Sequence, residues 1–300
     1  PAQRRTLLFV YVLAFFGFGV KAALFPCHGW LPDATAAPTP VTALLHAVAV
    51  VKSGAFAVMR LTYYSFGTAL LRGSFAQYIV MGAAMATVVY GSTMAVREVH
   101  WKRRLAYSTI SNLSYILLGT AMMSPLGLIA ALSHMVFHAF MKICSFFCAG
   151  AVMHQSGKTY VHELDGMAFK MPVTFACLTI ASISLAGIPP FAGFISKWNI
   201  AQSAFDCGQF LNQAGKGGYW LPYAGACVLL YSALMTAVYM FTVLVRAYVP
   251  KQGTITGAEV TDPNWMMLVP LVIFAGVIIC FGFHPVPLMK VLRAIGGKTG

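Results

Sequence analysis

Long apolar stretches follow one another along the chain with only short polar segments between them. They run near 7–25, 41–66, 75–97, 105–123, 125–153, 172–204, 220–249 and 265–292. About 20 apolar residues in a helix are enough to cross the hydrocarbon layer of a bilayer. Inside that layer the backbone has to satisfy its own hydrogen bonds, which a helix does within one segment. The pattern therefore predicts an all-α fold, a polytopic bundle of about eight transmembrane helices forming a single domain over 1–300. The polar stretches Arg97 to Arg104, His154 to Lys170, Asp206 to Gly218 and Lys251 to Asn264 are too short to fold separately.

Two spans carry interruptions. The first runs into Pro26, then Trp30-Leu31-Pro32-Asp33-Ala34 and Ala37-Pro38-Thr39-Pro40. The sixth is cut by Gly187-Ile188-Pro189-Pro190, with Gly193 just beyond. Proline lacks a backbone donor and clashes with the preceding turn, so helix breaks are expected at Pro26, Pro32, Pro189 and Pro190. Asp33 is placed to cap the half-helix that resumes after the first break. Broken segments in two halves of a membrane bundle point to a transport site, although a plain proline kink or a connecting loop would leave the same sequence.

Composition agrees with a membrane setting. Hydrophobic residues make up 59% of the chain and charged residues 9%, against roughly a quarter charged in soluble domains. The mean hydropathy is +0.76. The net charge of +13 does not indicate nucleic-acid binding, because the basic residues sit within apolar runs or at their ends. With alternating spans, the loops after the third, fifth and seventh share a face bearing Arg97, Lys102, Arg103, Arg104, Lys158, Lys170, Arg246 and Lys251. The internal loops opposite carry only Arg60, Arg72 and Lys216, which puts the basic face in the cytoplasm. Lys290, Arg293 and Lys298 fall on the other side and run against that orientation. Seven cysteines lie mostly in apolar segments and form no CxxC, which fits helix packing better than a disulfide framework or a cluster site. Pro1 to Thr6 is neither an initiator nor a signal peptide, so the chain reads as part of a longer polypeptide.

Ionisable residues inside the apolar spans are the sharper signal. Lys21, Lys52, Lys142 and Lys197 each follow an apolar run. A lysine at the centre of a membrane helix costs about 2.5–3.5 kcal/mol on insertion scales. Lys21 and Lys197 lie near helix breaks and could snorkel to the headgroups. Lys52 and Lys142 are roughly ten residues or more into their helices, about 15 Å along the axis, too deep for that. His134, His138 and Lys142 recur at i, i+4 and i+8 and so share one helix face. Such a stripe can hold water and pass protons. The same histidines could instead hydrogen-bond across helices. Zinc is disfavoured, since His-Met-Val-Phe-His lacks the glutamate of HExxH and no carboxylate ligand is near. His46 is a weaker candidate for the same relay. The seven carboxylates, Asp33, Glu98, Glu163, Asp165, Asp206, Glu259 and Asp262, all read as loop or break residues. The buried lysines are therefore carried largely uncharged, or their partners lie outside this chain.

Four stretches together resemble the proton-conducting antiporter-like subunits, a family that includes the large membrane subunits of respiratory complex I, Mrp-type cation/proton antiporters and membrane-bound hydrogenases. They are KAALFPCHGWLPDATAAPTPVTALLHAVAVVKSGAFAVMR (21–60), KRRLAYSTISNLSYILLG (102–119), HMVFHAFMK (134–142) and MPVTFACLTIASISLAGIPPFAGFISKW (171–198), in family order. The resemblance implies two inverted repeats, each with a broken helix, joined by a hydrated polar axis. The repeat boundaries it implies are 1–74 for the end of the first, 75–249 for the second and 250–300 for a terminal helix. It matches Lys21 to a lysine that pairs with a glutamate, and Lys52 to a lysine of the linking helix. His134, His138 and Lys142 match the central relay, and Lys197 the residue near the exit. The family has about fourteen helices, and the first six, with that glutamate, have no counterpart here.

The function expected is translocation of protons, with sodium ions as the alternative cargo, by one module of a redox-driven or antiporter complex. Partners are then other membrane subunits, an acidic residue from a missing N-terminal segment or a neighbouring subunit, and the lipid bilayer. The location expected is a bacterial or archaeal inner membrane. No GxGxxG, P-loop or cysteine cluster is present, so no cofactor is expected and redox catalysis would belong to partner subunits. A stand-alone carrier of a small organic substrate and a membrane-anchoring scaffold are the competing readings.

Overall fold

The structure is a computed structural model, and it describes residues 2–250 and 260–296. Lys251, Glu259 and Lys298, used above to read charge and orientation, lie outside the described residues. Helices account for nearly all of the rest. In chain order they are α1 (Ala2–Lys21), α2 (Trp30–Asp33), α3 (Thr39–Ala47), α4 (Val50–Arg60), α5 (Thr68–Leu71), α6 (Phe75–Arg97) and α7 (Trp101–Ala121). There follow α8 (Pro125–Ser156), α9 (Met167–Lys170), α10 (Pro172–Ala186), α11 (Ala192–Gln213), α12 (Trp220–Tyr248), α13 (Trp265–Phe283) and α14 (Val286–Gly296).

Among the described residues, six helical stretches are long and apolar enough to cross a bilayer unaided: α1, Thr39–Phe66, α6, α8, α12 and α13. Two more crossings lie among the described residues. The 21 residues of α7 reach about 31 Å but are diluted by charged, hydroxyl and amide side chains, which its burial within the protein tolerates. The other is the broken pair α10 and α11, of which α10 alone has only 15 residues.

Several sequence expectations need correction. The span 41–66 is not continuous: the amides of Val48 and Ala49 both donate to the Leu44 carbonyl, at 3.0 Å each, and α3 stops there. This wide turn contains no proline or glycine, so nothing in the pattern announces it. The span 265–292 divides at His284 and Pro285. Pro32 breaks no helix, because it sits in the four-residue α2, where its missing donor has no acceptor to serve. Asp33 makes no side-chain cap. Asp206, read as a loop residue, lies within α11.

Backbone bonds tie the ends of alternate helices together. Val161 N–H donates to the Val99 carbonyl, Trp101 N–H to Thr159 and Gly166 N–H to Arg246. These place Arg97, Lys102, Arg103, Arg104, Lys158 and Arg246 at one end of the bundle. Asp262 reaches from the segment before α13 to the start of α10, accepting from the amides of Val173 and Thr174 and the Thr174 hydroxyl at 2.7 to 3.1 Å. A helix start presents unpaired N–H groups, and this carboxylate answers two of them.

At the centre stands α8, packed against α3, α7, α10, α11, α13 and α14. Phe140 and Phe147 of α8 interleave with Phe274 and Phe281 of α13. Beside it α7 is enclosed along almost its whole length, including Ser108, Ser111, Asn112 and Ser114. A polar helix surrounded by protein is where a membrane bundle can keep water and protons away from lipid.

Candidate functional site

The break between α10 and α11 builds one end of the site. Gly187, at φ +86°, ends α10, and the chain turns through Pro189 and Pro190 before α11 begins. Helix termination leaves the last carbonyls of α10 without helical donors. Lys197, a turn and a half into α11, folds back to them and donates to Leu185 O at 2.7 Å and Ala186 O at 3.1 Å. Its ammonium therefore sits in the negative end of a helix dipole. Lys197 is 7% exposed and points inward, with Nζ 5.4 Å from the centroid of the Tyr115 ring.

From there the site passes to α8. His134 Nδ1 is 2.9 Å from Ser196 Oγ, the residue before Lys197. One turn on, the His138 ring stacks on that of His134, centroids 5.8 Å apart. Another turn brings Lys142, with no exposed surface, whose ammonium donates to Ser108 Oγ at 2.7 Å and Leu105 O at 3.1 Å on α7. Two other elements close in from the side. Lys52, just after the wide turn that starts α4, donates to Met135 O at 2.7 Å and lies within electrostatic reach of His134 and His138. His46 of α3 lies within such reach of Lys142 and packs against Phe146, centroids 5.0 Å apart.

Both nitrogens of His138 and of His46, and Nε2 of His134, are buried without a protein hydrogen-bond partner among the described residues. Burying a polar group unpaired costs about 1–3 kcal/mol, so uncommitted imidazoles in a row are unusual as scaffolding. Such nitrogens can take and release a proton without breaking a bond to the protein. The structure thus brings Lys52, His134, His138, Lys142, Lys197 and His46 into one buried cluster.

Lys21 is not part of it. This lysine ends α1, is exposed, and its side chain has no hydrogen bond or ion pair among the described residues. Behind it α4 presses on the first break: a Cβ on Gly54 would stand 2.8 Å from Ala22 N and 2.9 Å from the Lys21 carbonyl carbon. Pro26 lies in the break five residues past the end of α1, and both Pro189 and Pro190 are exposed.

The residue reading missed the hydroxyls. Ser108, Ser196, Tyr115 and Tyr239 touch the lysines and histidines directly or through one bond. A signal was available in α7, where Ser108, Asn112 and Tyr115 fall at i, i+4 and i+7 on one face of the helix.

A line of enclosed lysines and histidines runs from the second break along α8, and comparison with known proteins decides the family of the chain. The profile of the NADH:quinone oxidoreductase/Mrp antiporter transmembrane family matches residues 2–215. The chain belongs to that family. Among its relatives is NADH-quinone oxidoreductase subunit N of Desulforudis audaxviator, 38% identical over 243 residues, which are 81% of this chain and 45% of that protein. Another is F420H2 dehydrogenase subunit L of Methanosarcina mazei, 35% identical over 92% of this chain and 40% of that protein. In fold the chain is similar to a chain of the Mrp complex from Dietzia sp., with a TM-score of 0.83 and 24% identity over 96% of this chain and 59% of that one. This antiporter-family chain spans under half the length of these curated relatives. It is an integral membrane protein.

Proposed function

We propose that this antiporter-family chain carries part of a proton path, with sodium as the alternative cargo, in a multi-subunit redox-driven or antiporter complex of a bacterial or archaeal inner membrane. The observation that carries the reading is Lys142. It is fully enclosed, one helical turn from an uncommitted histidine, and its own partners are a hydroxyl and a carbonyl rather than a carboxylate. An ammonium held by neutral dipoles can lose its proton without leaving an unpaired carboxylate behind. Lys197, His134, His138, Lys142 and Lys52 would then pass protons along the cluster, with His46 at its edge, and Lys21 would belong to the adjoining half. The two breaks support inverted repeats divided near residue 74, because Lys21 precedes its break and Lys197 follows its own.

The test is Lys142→Ala and Lys142→Leu in the assembled complex, in sealed vesicles, with pumping and partner redox turnover read together. Pumping should fall on the order of a hundredfold, the low end of what losing a proton-transfer group costs, while redox turnover stays measurable. Full pumping by Lys142→Leu would overturn the reading. It would then favour the scaffold.

A further inference from the structure

The histidine row is not the only polar connection between Lys142 and Lys197. On α12, Ser232, Thr236 and Tyr239 fall at i, i+4 and i+7, and on α7 Ser108, Asn112 and Tyr115 repeat the same spacing. The two stripes face each other in opposite directions, so Ser108 meets Tyr239 and Tyr115 meets Ser232. Ser108 Oγ lies 2.5 Å from Tyr239 Oη, and Tyr115 Oη donates to Ser232 Oγ at 2.5 Å. Between these rungs, Tyr239 Oη donates to Thr236 Oγ1 at 3.2 Å, and the Tyr115 hydroxyl is also within reach of Thr236. All five hydroxyl side chains are fully enclosed. One end of the ladder is bonded to Lys142 at 2.7 Å. The other is Tyr115, whose ring lies under the Lys197 ammonium and edge-on to His134, centroids 5.3 Å apart.

We propose that this ladder is a second proton route, parallel to the histidines, with the Thr236 hydroxyl as its switch. A proton leaves the Lys142 ammonium for Ser108 Oγ while the Ser108 proton moves to Tyr239 Oη. The Tyr239 proton moves to Thr236 Oγ1, the Thr236 proton to Tyr115 Oη, and the Tyr115 proton through one bridging water to the Lys197 amine. At each oxygen one O–H bond forms as another breaks, and the net change is one proton moved from Lys142 to Lys197. In the structure the Thr236 hydroxyl donates instead to the Ser232 carbonyl, at 2.7 Å. The route is open only when that hydroxyl turns towards Tyr115 and the Tyr115 hydroxyl turns from Ser232 towards the bridging water. Interhelical hydroxyl bonds are common packing devices in membranes, so the test has to separate conduction from glue.

The proposal rests on the function given above, and its test uses the assembled complex in vesicles. Variants are Tyr239→Phe, Thr236→Val, Thr236→Ser and His138→Ala, with each of the first two, and Thr236→Ser as the rescue, also combined with His138→Ala. Tyr239→Phe and Thr236→Val keep side-chain volume and remove a link. Each should lower pumping only about fivefold, the size of one lost hydrogen bond, because the histidines still conduct. Joined to His138→Ala, each should lower it far beyond the product of the single effects, as parallel routes require. Thr236→Ser, which keeps the hydroxyl, should restore flux beside His138→Ala and retain the solvent deuterium isotope effect on pumping. The proposal fails if the double variants pump no worse than His138→Ala alone, or if Tyr239→Phe alone falls as far as its double. It fails too if Thr236→Ser behaves like Thr236→Val. Failure of the broader reading looks different, because Lys142→Leu would then pump fully.

Discussion

An amine that cannot reach water has to find oxygens in the protein, and the three enclosed lysines solve this differently. Lys52 takes the carbonyl of Met135 inside α8, Lys142 a carbonyl and a hydroxyl of α7, and Lys197 two carbonyls at a helix end. Only Lys197 has acceptors that lack helical donors in any case, so it is the one whose loss strands buried carbonyls. Lys197→Met should therefore lower thermal stability in detergent by about 1–3 kcal/mol, more than Lys52→Met, whose acceptor keeps its place in a helix. A melting temperature for Lys197→Met equal to that of the parent would contradict this. A loop residue offers a test by pH. Glu163 Oε2 accepts the amides of Tyr160 and Thr159, each at 2.9 Å, and these bonds hold its carboxyl below the usual value. A depressed folded-state value means stability that is present above the unfolded value and lost as pH falls through the folded one. Glu163→Gln should thus melt below the parent at neutral pH, with the gap closing in acid. A gap that stays constant down to acid pH would mean the carboxylate contributes nothing through its charge.

At the scale of elements, both breaks are held by a glycine pressed against backbone. A Cβ on Gly193 would lie 1.8 Å from the Ser184 carbonyl oxygen, and one on Gly54 would meet the backbone of Lys21 and Ala22. Backbone cannot yield as a flexible side chain can. Gly193→Ala should therefore cost more than about 3 kcal/mol, beyond ordinary overpacking, and should pull Ser196 away from His134. Gly54→Ala should shift α4 and loosen the bond from Lys52 to Met135. Normal yield and melting for Gly193→Ala would show that the break tolerates a wider approach. The proline pair of the second break was legible because proline removes a donor wherever it stands. The wide turn at Val48 and Ala49 was not, because it needs only a shift of amide partners, which no side chain records. The stripe His134, His138 and Lys142 was legible from helical spacing alone. The place of Lys52 beside it depends on α4, which packs on α1 and α7, bringing the amine across to α8, a relation between residues 83 positions apart. The hydroxyl ladder was hidden for a related reason: each stripe is visible on its own helix, but only packing makes α7 and α12 face one another.

At the scale of the whole molecule, Lys21 is the residue left over. It sits about 21 Å beyond Leu7 along α1, a length to set against a hydrocarbon layer of roughly 30 Å, and it is exposed. Leu13 and Phe9 on the exposed surface of the same helix are 72% and 58% accessible, so α1 presents a broad apolar surface to whatever adjoins it. A charged amine there is costly beside lipid and favourable beside a carboxylate, which at about 4–6 Å would favour the protonated form. Separating the two would release the proton, and a relay needs at least one group switched in this way. Among the described residues no carboxylate pairs with Lys21. We therefore predict an aspartate or glutamate facing Lys21 within the membrane, from an N-terminal segment or an adjacent subunit of the full assembly. Replacing that acid with glutamine should reduce pumping about as severely as Lys21→Ala, since either change removes the same switch. The double variant should add little, because two residues acting as one unit are not additive. Loss in the double equal to the product of the single losses would mean that the two groups act independently. Apolar side chains alone around Lys21 in the full assembly would remove the switch altogether, leaving the buried cluster to work without a charged partner.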